Sequence, residues 1–283
     1  MSAAVQPLPG RPTGAPATGR QWLRRLRFYL PAIVVFVGVI ALWEVAVGAL
    51  GLKVFVLPKP SAIIAALQAN WTSDRFGLLP SFRATMLEAL VGLAVGTLAA
   101  VIVALAASRW VLARNVLLPI AIAAGAIPII AFAPLANTWF GLTNWFSKAF
   151  MAAVVVFFPV MANVTRGLVQ VDASAIELMR SYAASEWTIL LKVRIPNALP
   201  YFFTALKIAT TLSLIGAIIA EYFGGQSLVL GRIMVQSASA LRFDITWAAI
   251  LLGAIAGIVL YLGTVLLERL VIPWHASVRP ADG

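Results

Sequence analysis

No cysteine occurs in the 283 residues, which excludes disulfides and thiolate metal sites and leaves the redox compartment unreadable from that source. Histidine is nearly missing as well: the single one, His275, stands close to the C-terminus and reads as a surface group rather than a ligand. Charge is scarce, since Asp, Glu, Lys and Arg make up 11% of the chain against roughly 25% in an ordinary soluble domain. There is no Gly-x-x-x-x-Gly-Lys-Ser/Thr loop to cradle nucleotide phosphates, no His-Glu-x-x-His zinc pair and no Gly-x-Ser-x-Gly nucleophile elbow. The few acids and one terminal histidine form no recognisable catalytic set and no metal site.

What the chain has is apolar length. Hydrophobic residues make up 62% of it, in runs long enough to cross a hydrocarbon core of roughly 30 Å as helices of about 20 residues. Uninterrupted apolar runs lack the alternation of a membrane barrel, so the expected fold is an all-α polytopic membrane protein. Six spans can be drawn, near 29–50, 83–107, 115–136, 146–166, 200–222 and 246–268. The third contains Pro119, Pro128 and Pro134, which must kink or break it and place it against protein or a cavity. Residues 1–28 read as a disordered basic tail, with Arg20, Arg24, Arg25 and Arg27 beside Trp22. The run to Leu50 is too long for a signal-peptide core, so it reads as a retained first span. Residues 51–82 form an external connecting segment, 83–270 the core and 271–283 a cytoplasmic C-terminal tail.

Basic residues test the orientation. With the N-terminus in the cytoplasm, fourteen of the 21 Lys and Arg side chains fall inside; Lys53, Lys59, Arg75, Arg83, Lys148, Arg232 and Arg242 fall outside. This favours both termini inside, at the cell (plasma or inner) membrane. The net charge of +11 is then explained by orientation and anionic headgroups, with no nucleic-acid partner needed.

Between the fourth and fifth spans lies a charged, helix-patterned island, residues 172–200. Ser174 and Glu177 have the spacing of a capping box, which predicts a helix starting there and running to about Ala183. A second piece can follow from Ser185 and end at Pro196, with Pro200 opening the next span. Glu177, Arg180, Glu186 and Lys192 should be exposed. Such a surface suits a docking partner, although an interfacial loop anchored only by Trp187 fits the same pattern.

The island resembles the signature of permease subunits of ATP-binding-cassette importers, Glu-Ala-Ala, three residues, Gly, nine residues, Ile, one residue, Leu-Pro. Glu177 takes the glutamate position, Ala183 the glycine, Val193 the isoleucine and Ile195-Pro196 the Leu-Pro, with no gap. Leu178 and Met179 replace the alanines, and Ala183 in place of glycine suggests a turn that does not require a positive φ. Residues 55–270 are similar to the branch that imports nitrate, sulfonates, taurine, thiamine-pyrimidine precursors and riboflavin, through Val56-Leu57-Pro58-Lys59-Pro60-Ser61, Ala126-Ile127-Pro128, Trp139-Phe140-Gly141 outside the third span, Phe157-Phe158-Pro159 and Glu221-Tyr222-Phe223-Gly224-Gly225. The resemblance implies a type I importer permease fold of about six transmembrane helices with a cytoplasmic coupling helix. It also implies a second permease copy, ATPase subunits that bind MgATP, and an external solute-binding protein. No cofactor is expected in this chain. The ATPase-coupling set would be Ser174, Glu177, Arg180, Ser181, Ala183, Ser185, Glu186 and Pro196.

For the substrate pathway, Asn137, Trp139, Asn144 and Trp145 cluster outside the third span. The tryptophans read as interfacial anchors, while the asparagines between them would also suit a planar heteroaromatic ligand. Asn163, Thr210 and Ser213, with Thr165 and Thr211, read mainly as helix-to-helix hydrogen bonds. Glu221 reads as a turn-capping or gating carboxylate; Glu44 and Glu88 fall near outer span ends where they can snorkel or pair. Gly92, Gly96, Gly125 and Gly216 should permit close helix approach. A secondary transporter usually shows internal repeats and a channel a charged ring or filter, and neither is visible. Riboflavin or a pyrimidine precursor is the first choice of cargo, with sulfonate or taurine second.

Overall fold

In the computed structural model the described residues are 20–109, 116, 119–121, 123–125, 128–226 and 228–273, with side chains from 29 onward except that of Ile129. Residues 1–19 of the expected tail, the side chain of Trp22, Ala126-Ile127, Arg114, His275 and the C-terminal tail past 273 lie outside this set, while 20–28, expected to be disordered, are helical backbone. All regular elements among the described residues are helical. They are α1 (Arg20–Ala49), α2 (Pro60–Ala69), α3 (Leu78–Arg109), α4 (Ile129–Phe140), α5 (Trp145–Val169), α6 (Ala173–Ser181), α7 (Glu186–Ile189), a π-turn (Leu190–Arg194), α8 (Ile195–Phe223), α9 (Leu230–Ser239) and α10 (Phe243–Val271).

Five of these stretches are long and apolar enough to cross a membrane, and a sixth forms if the bent pair Pro119–Gly125 and Ile130–Phe140 is one span. The bend is 94°, so the third expected span is broken rather than kinked. Its second half reaches Phe140, which puts Asn137, Trp139 and Phe140 on the helix and not in the loop assigned to them. Gly141, at φ +99°, ends it in a conformation that side chains rarely adopt.

Contacts divide the chain into Met1–Leu52 and a larger unit from Lys53 onward. The first holds α1, whose stretch Tyr29–Ala49 is long and apolar enough to cross a membrane and carries one acid, Glu44. The centre of the second is the packing of α5 against α3 and α8, with α9 and α10 on α8 and α2 on α10. Small residues set this packing. A Cβ at Gly92 would lie 2.4 Å from the Ala152 methyl, one at Gly96 2.5 Å from the Ala153 carbonyl oxygen, and one at Gly216 3.0 Å from Ala152 Cα. Helix association in lipid depends on such close approach, because burial from water gives no drive there. Gly125 has no such role: a Cβ there meets nothing within 4 Å.

Chain direction gives the bundle two ends. α5 and α8 are joined by residues 170–194, the lobe end. The start of α5, the end of α8 and all of α9 lie at the far end.

Candidate functional site

At the lobe end, α6 is capped by Asp172, whose carboxylate accepts from the Ser174 amide at 3.0 Å. Ser174 is therefore a first-turn residue, and the capping box does not form; the acid two positions earlier already reaches that amide. The helix stops at Ser181 rather than Ala183. The Ala183 amide then bonds the Arg180 carbonyl at 2.9 Å and the Ala184 amide bonds that of Met179 at 3.0 Å. These two bonds make a Schellman cap, which places Ala183 in the left-handed region at φ +52°. The glycine of the family pattern thus has a backbone reason, and the expectation of an ordinary φ at Ala183 is overturned.

Ser185 caps α7 by accepting from the Thr188 amide at 3.2 Å. Pro196 does not terminate the helix. Helical backbone runs from Glu186 to Phe223 as one span of 38 residues. The π-turn before Pro196 displaces the backbone bonds, so the amide that proline lacks and its ring are both accommodated. Glu186 ties the lobe together, 3.1 Å from Arg180 and 3.9 Å from Arg194. Asn197, which sequence reasoning passed over, donates to the carbonyls of Gly167 at 2.8 Å and Gln170 at 2.9 Å, joining the end of α5 to the start of α8. Trp187 has the Arg109 guanidinium 5.7 Å from its ring, within cation–π range. Glu177, Arg180, Ser181, Ala183 and Lys192 are exposed, as are the apolar Leu178, Tyr182 at 77% and Trp187 at 57%. Large apolar groups left in the open on a charged lobe suit a protein contact or the membrane interface.

At the far end the polar groups are buried. Asn137 is 3% exposed, donates to the Ala220 carbonyl at 3.1 Å and accepts from Ser147 Oγ at 2.9 Å and Lys148 Nζ at 3.0 Å. Asn144 caps α5 and bonds the Phe140 carbonyl. Asn137 is buried in these bonds, whereas Asn144, Trp139 and Trp145 are exposed. Lys148, counted as an outside loop charge, lies 1% exposed within α5. Its ammonium donates to Asn137 Oδ1, Ser147 Oγ and the Leu142 carbonyl and faces the carboxyls of Glu88 and Glu221. One oxygen of each carboxyl, Glu88 Oε2 and Glu221 Oε1, is buried without a hydrogen-bond partner. Glu221 accepts from the Gly231 amide at 2.7 Å in the first turn of α9. Glu88, 3% exposed on α3, does not snorkel. A lysine four residues into an apolar span was the available signal for this cluster.

Within the bundle, Asn163 bonds the Pro159 carbonyl, Thr210 that of Lys207 and Ser213 that of Thr210. All three bond their own helix, not a neighbour. Beside the broken span lies a cavity of about 230 Å³ lined by Gly125, Phe132, Met151, Phe158, Pro159 and Leu212 among others, with no charged side chain. Gly125 comes from the first half of that bent pair and Phe132 from the second. Lys207 and Glu268 pair at 2.6 Å between α8 and α10. Among the described residues no group of three His, Cys, Asp or Glu side chains could hold a metal.

A chain with this bundle and this lobe is a permease. The family model for the binding-protein-dependent transport system inner membrane component matches residues 92–274, and the chain belongs to that family of ABC importer subunits. A probable ABC transporter permease protein of Haemophilus influenzae is 32% identical over 237 residues, 84% of this chain and 94% of that one. The riboflavin transport system permease protein RibX of Chloroflexus aurantiacus is 30% identical over 257 residues, 89% and 93% of the two chains. The putative aliphatic sulfonates permease SsuC of Escherichia coli is 29% identical over 271 residues, 91% and 95%. A crystal structure of a bacterial ABC transporter involved in alginate import superposes with a TM-score of 0.59 at 16% identity, over 89% of this chain and 99% of that one, which shows the fold.

Proposed function

We propose that two copies of this chain form the translocation pathway of an ATP-driven importer, with the lobe end and both termini in the cytoplasm. The lobe, with Leu178, Tyr182 and Trp187 exposed around Glu177 and Arg180, is where a partner ATPase docks and transmits closure to α8 through Glu186 and Asn197. Hydrolysis of MgATP belongs to that partner, and this chain is non-catalytic. An external solute-binding protein delivers cargo to the far end, and alternating access moves it inward.

The cargo is a small organic solute, a thiamine-pyrimidine precursor or riboflavin first. The observation that carries this choice is the apolar cavity beside the broken span, where Phe132, Met151 and Phe158 offer aromatic and thioether surface and no cation to match an anion. Its volume of about 230 Å³ lies below the roughly 300–1,000 Å³ of sites for drug-sized ligands, which favours a single ring over a flavin. A sulfonate, taurine or nitrate importer is the second reading, supported by the likeness to SsuC. Purification with membrane partners, followed by transport in proteoliposomes, tests both. A co-purifying ATPase and ATP-dependent uptake of a labelled pyrimidine are expected. Recovery without an ATPase and ATP-insensitive transport would sink the importer reading; uptake of taurine but not pyrimidine would replace the cargo.

A further inference from the structure

The far end carries a second, differently built cleft. It is about 520 Å³ in volume and lies between the segment preceding α3 and the exposed side of α9, lined by Arg75, Phe76, Arg232, Gln236 and Ser239 among others. Arg232, Gln236 and Ser239 follow each other at steps of four and three, so one face of α9 forms a wall. The Arg75 guanidinium sits 5.1 Å from the Phe76 ring centroid, which holds its charged head at the rim.

Neither arginine has a carboxylate within 4.0 Å among the described residues. Arg242, three residues past the end of α9, is the contrast. It donates to both oxygens of Asp244 at 3.0 and 2.9 Å, and those hydrogen bonds hold it above the ordinary arginine range. Cations also dominate the surrounding sequence. Lys53, Lys59, Arg75, Arg83, Arg232 and Arg242 belong to far-end segments, against Asp74 and Asp244.

A concave site with two unpaired guanidinium groups and a polar wall fits a carboxylate, because the planar fork meets both oxygens at once. The family is binding-protein-dependent, so a protein must present itself at this end if the far end is external. We infer that the Arg75–Arg232 cleft seats an acidic side chain of the solute-binding protein and so fixes how that protein docks. This rests on the orientation given under Proposed function. Arginines engaged in this way at a contact tend to account for a large part of its affinity, while rim charges govern association rate and its salt dependence.

The test is stimulation of ATP hydrolysis by the ligand-loaded binding protein encoded with the transporter, titrated against the permease–ATPase complex in nanodiscs. R75E and R232E are each expected to raise the half-saturating concentration at least tenfold, with the rate at saturation retained. R242Q should change it less than twofold. Charge reversal of one acidic residue on the binding protein should recover R232E. Half-saturation within twofold of wild type for both R75E and R232E, with stimulation intact, overturns the inference alone. A shift seen only when the nanodiscs contain anionic lipid, and lost in phosphatidylcholine, overturns it in favour of a headgroup site. Failure of the binding protein to stimulate the wild-type complex overturns the importer reading and this inference together.

Discussion

Ala183 holds a left-handed backbone that its Cβ resists by roughly 1–2 kcal/mol. Replacing it with glycine, A183G, should relieve about 1 kcal/mol of that and slow hydrogen exchange at Ala183 and Ala184, while A183V should accelerate it. Lys148 offers a sharper case. Removing its ammonium with K148M leaves Glu88 and Glu221 buried without their cation, at a cost of about 3–5 kcal/mol. Thermal melts of the purified protein should show a smaller loss for the same substitution in an E88Q background; equal losses would mean that Lys148 acts alone. Neither residue was read from the sequence for what it is. An alanine gives no signal of φ, and Lys148 sits so near a span boundary that topology counting absorbed it as a loop charge. Asp172 shows the same limit: two capping side chains stood two positions apart, and only geometry shows which one reaches an amide.

The spans were legible because lipid fixes their length and allows only satisfied backbone, so α3, α5, α8 and α10 fall close to the apolar runs. Their ends and interruptions were not. Proline content predicted that the third span must bend, yet whether it kinks or breaks depends on neighbours that the local sequence does not name. Pro196 was read as a stop by the usual rule, and the π-turn before it lets the helix continue. That continuity makes Asn197 testable. N197A removes two hydrogen bonds between α5 and α8, which should weaken local protection by about 1–3 kcal/mol. Exchange should quicken around residues 168–172 and 195–199 and stay unchanged in α3. Uniform quickening across the bundle would mean that Asn197 supports global stability instead.

The whole protein was the easiest part to read, since composition alone defines a polytopic membrane chain and the spacing from Glu177 to Pro196 points to its partner. Cargo was not legible, because the cavity proposed to take it has walls from distant parts of the chain, Gly125 and Phe132 with Met151, Phe158 and Leu212. The expected effect of E177R belongs here. Glu177 is exposed and makes no ion pair among the described salt bridges, so charge reversal should leave membrane insertion and melting intact while reducing ATP-coupled transport tenfold or more. Transport assays with parallel measurement of co-purifying ATPase check this; wild-type uptake would remove Glu177 from coupling.

Ala152 touches two helices at once, with Gly92 on one side leaving no volume for a side chain and Gly216 on the other leaving little. Three backbones meeting at one residue behave as a fulcrum. α3, α5 and α8 cannot slide along one another by part of a turn without collision, so a push delivered at the lobe reaches the far end as rotation of a stiff lever rather than as bending within it. Under the proposed function the import stroke would be a tilt of this trio, with its amplitude at the far end set by the length of helix beyond the pivot.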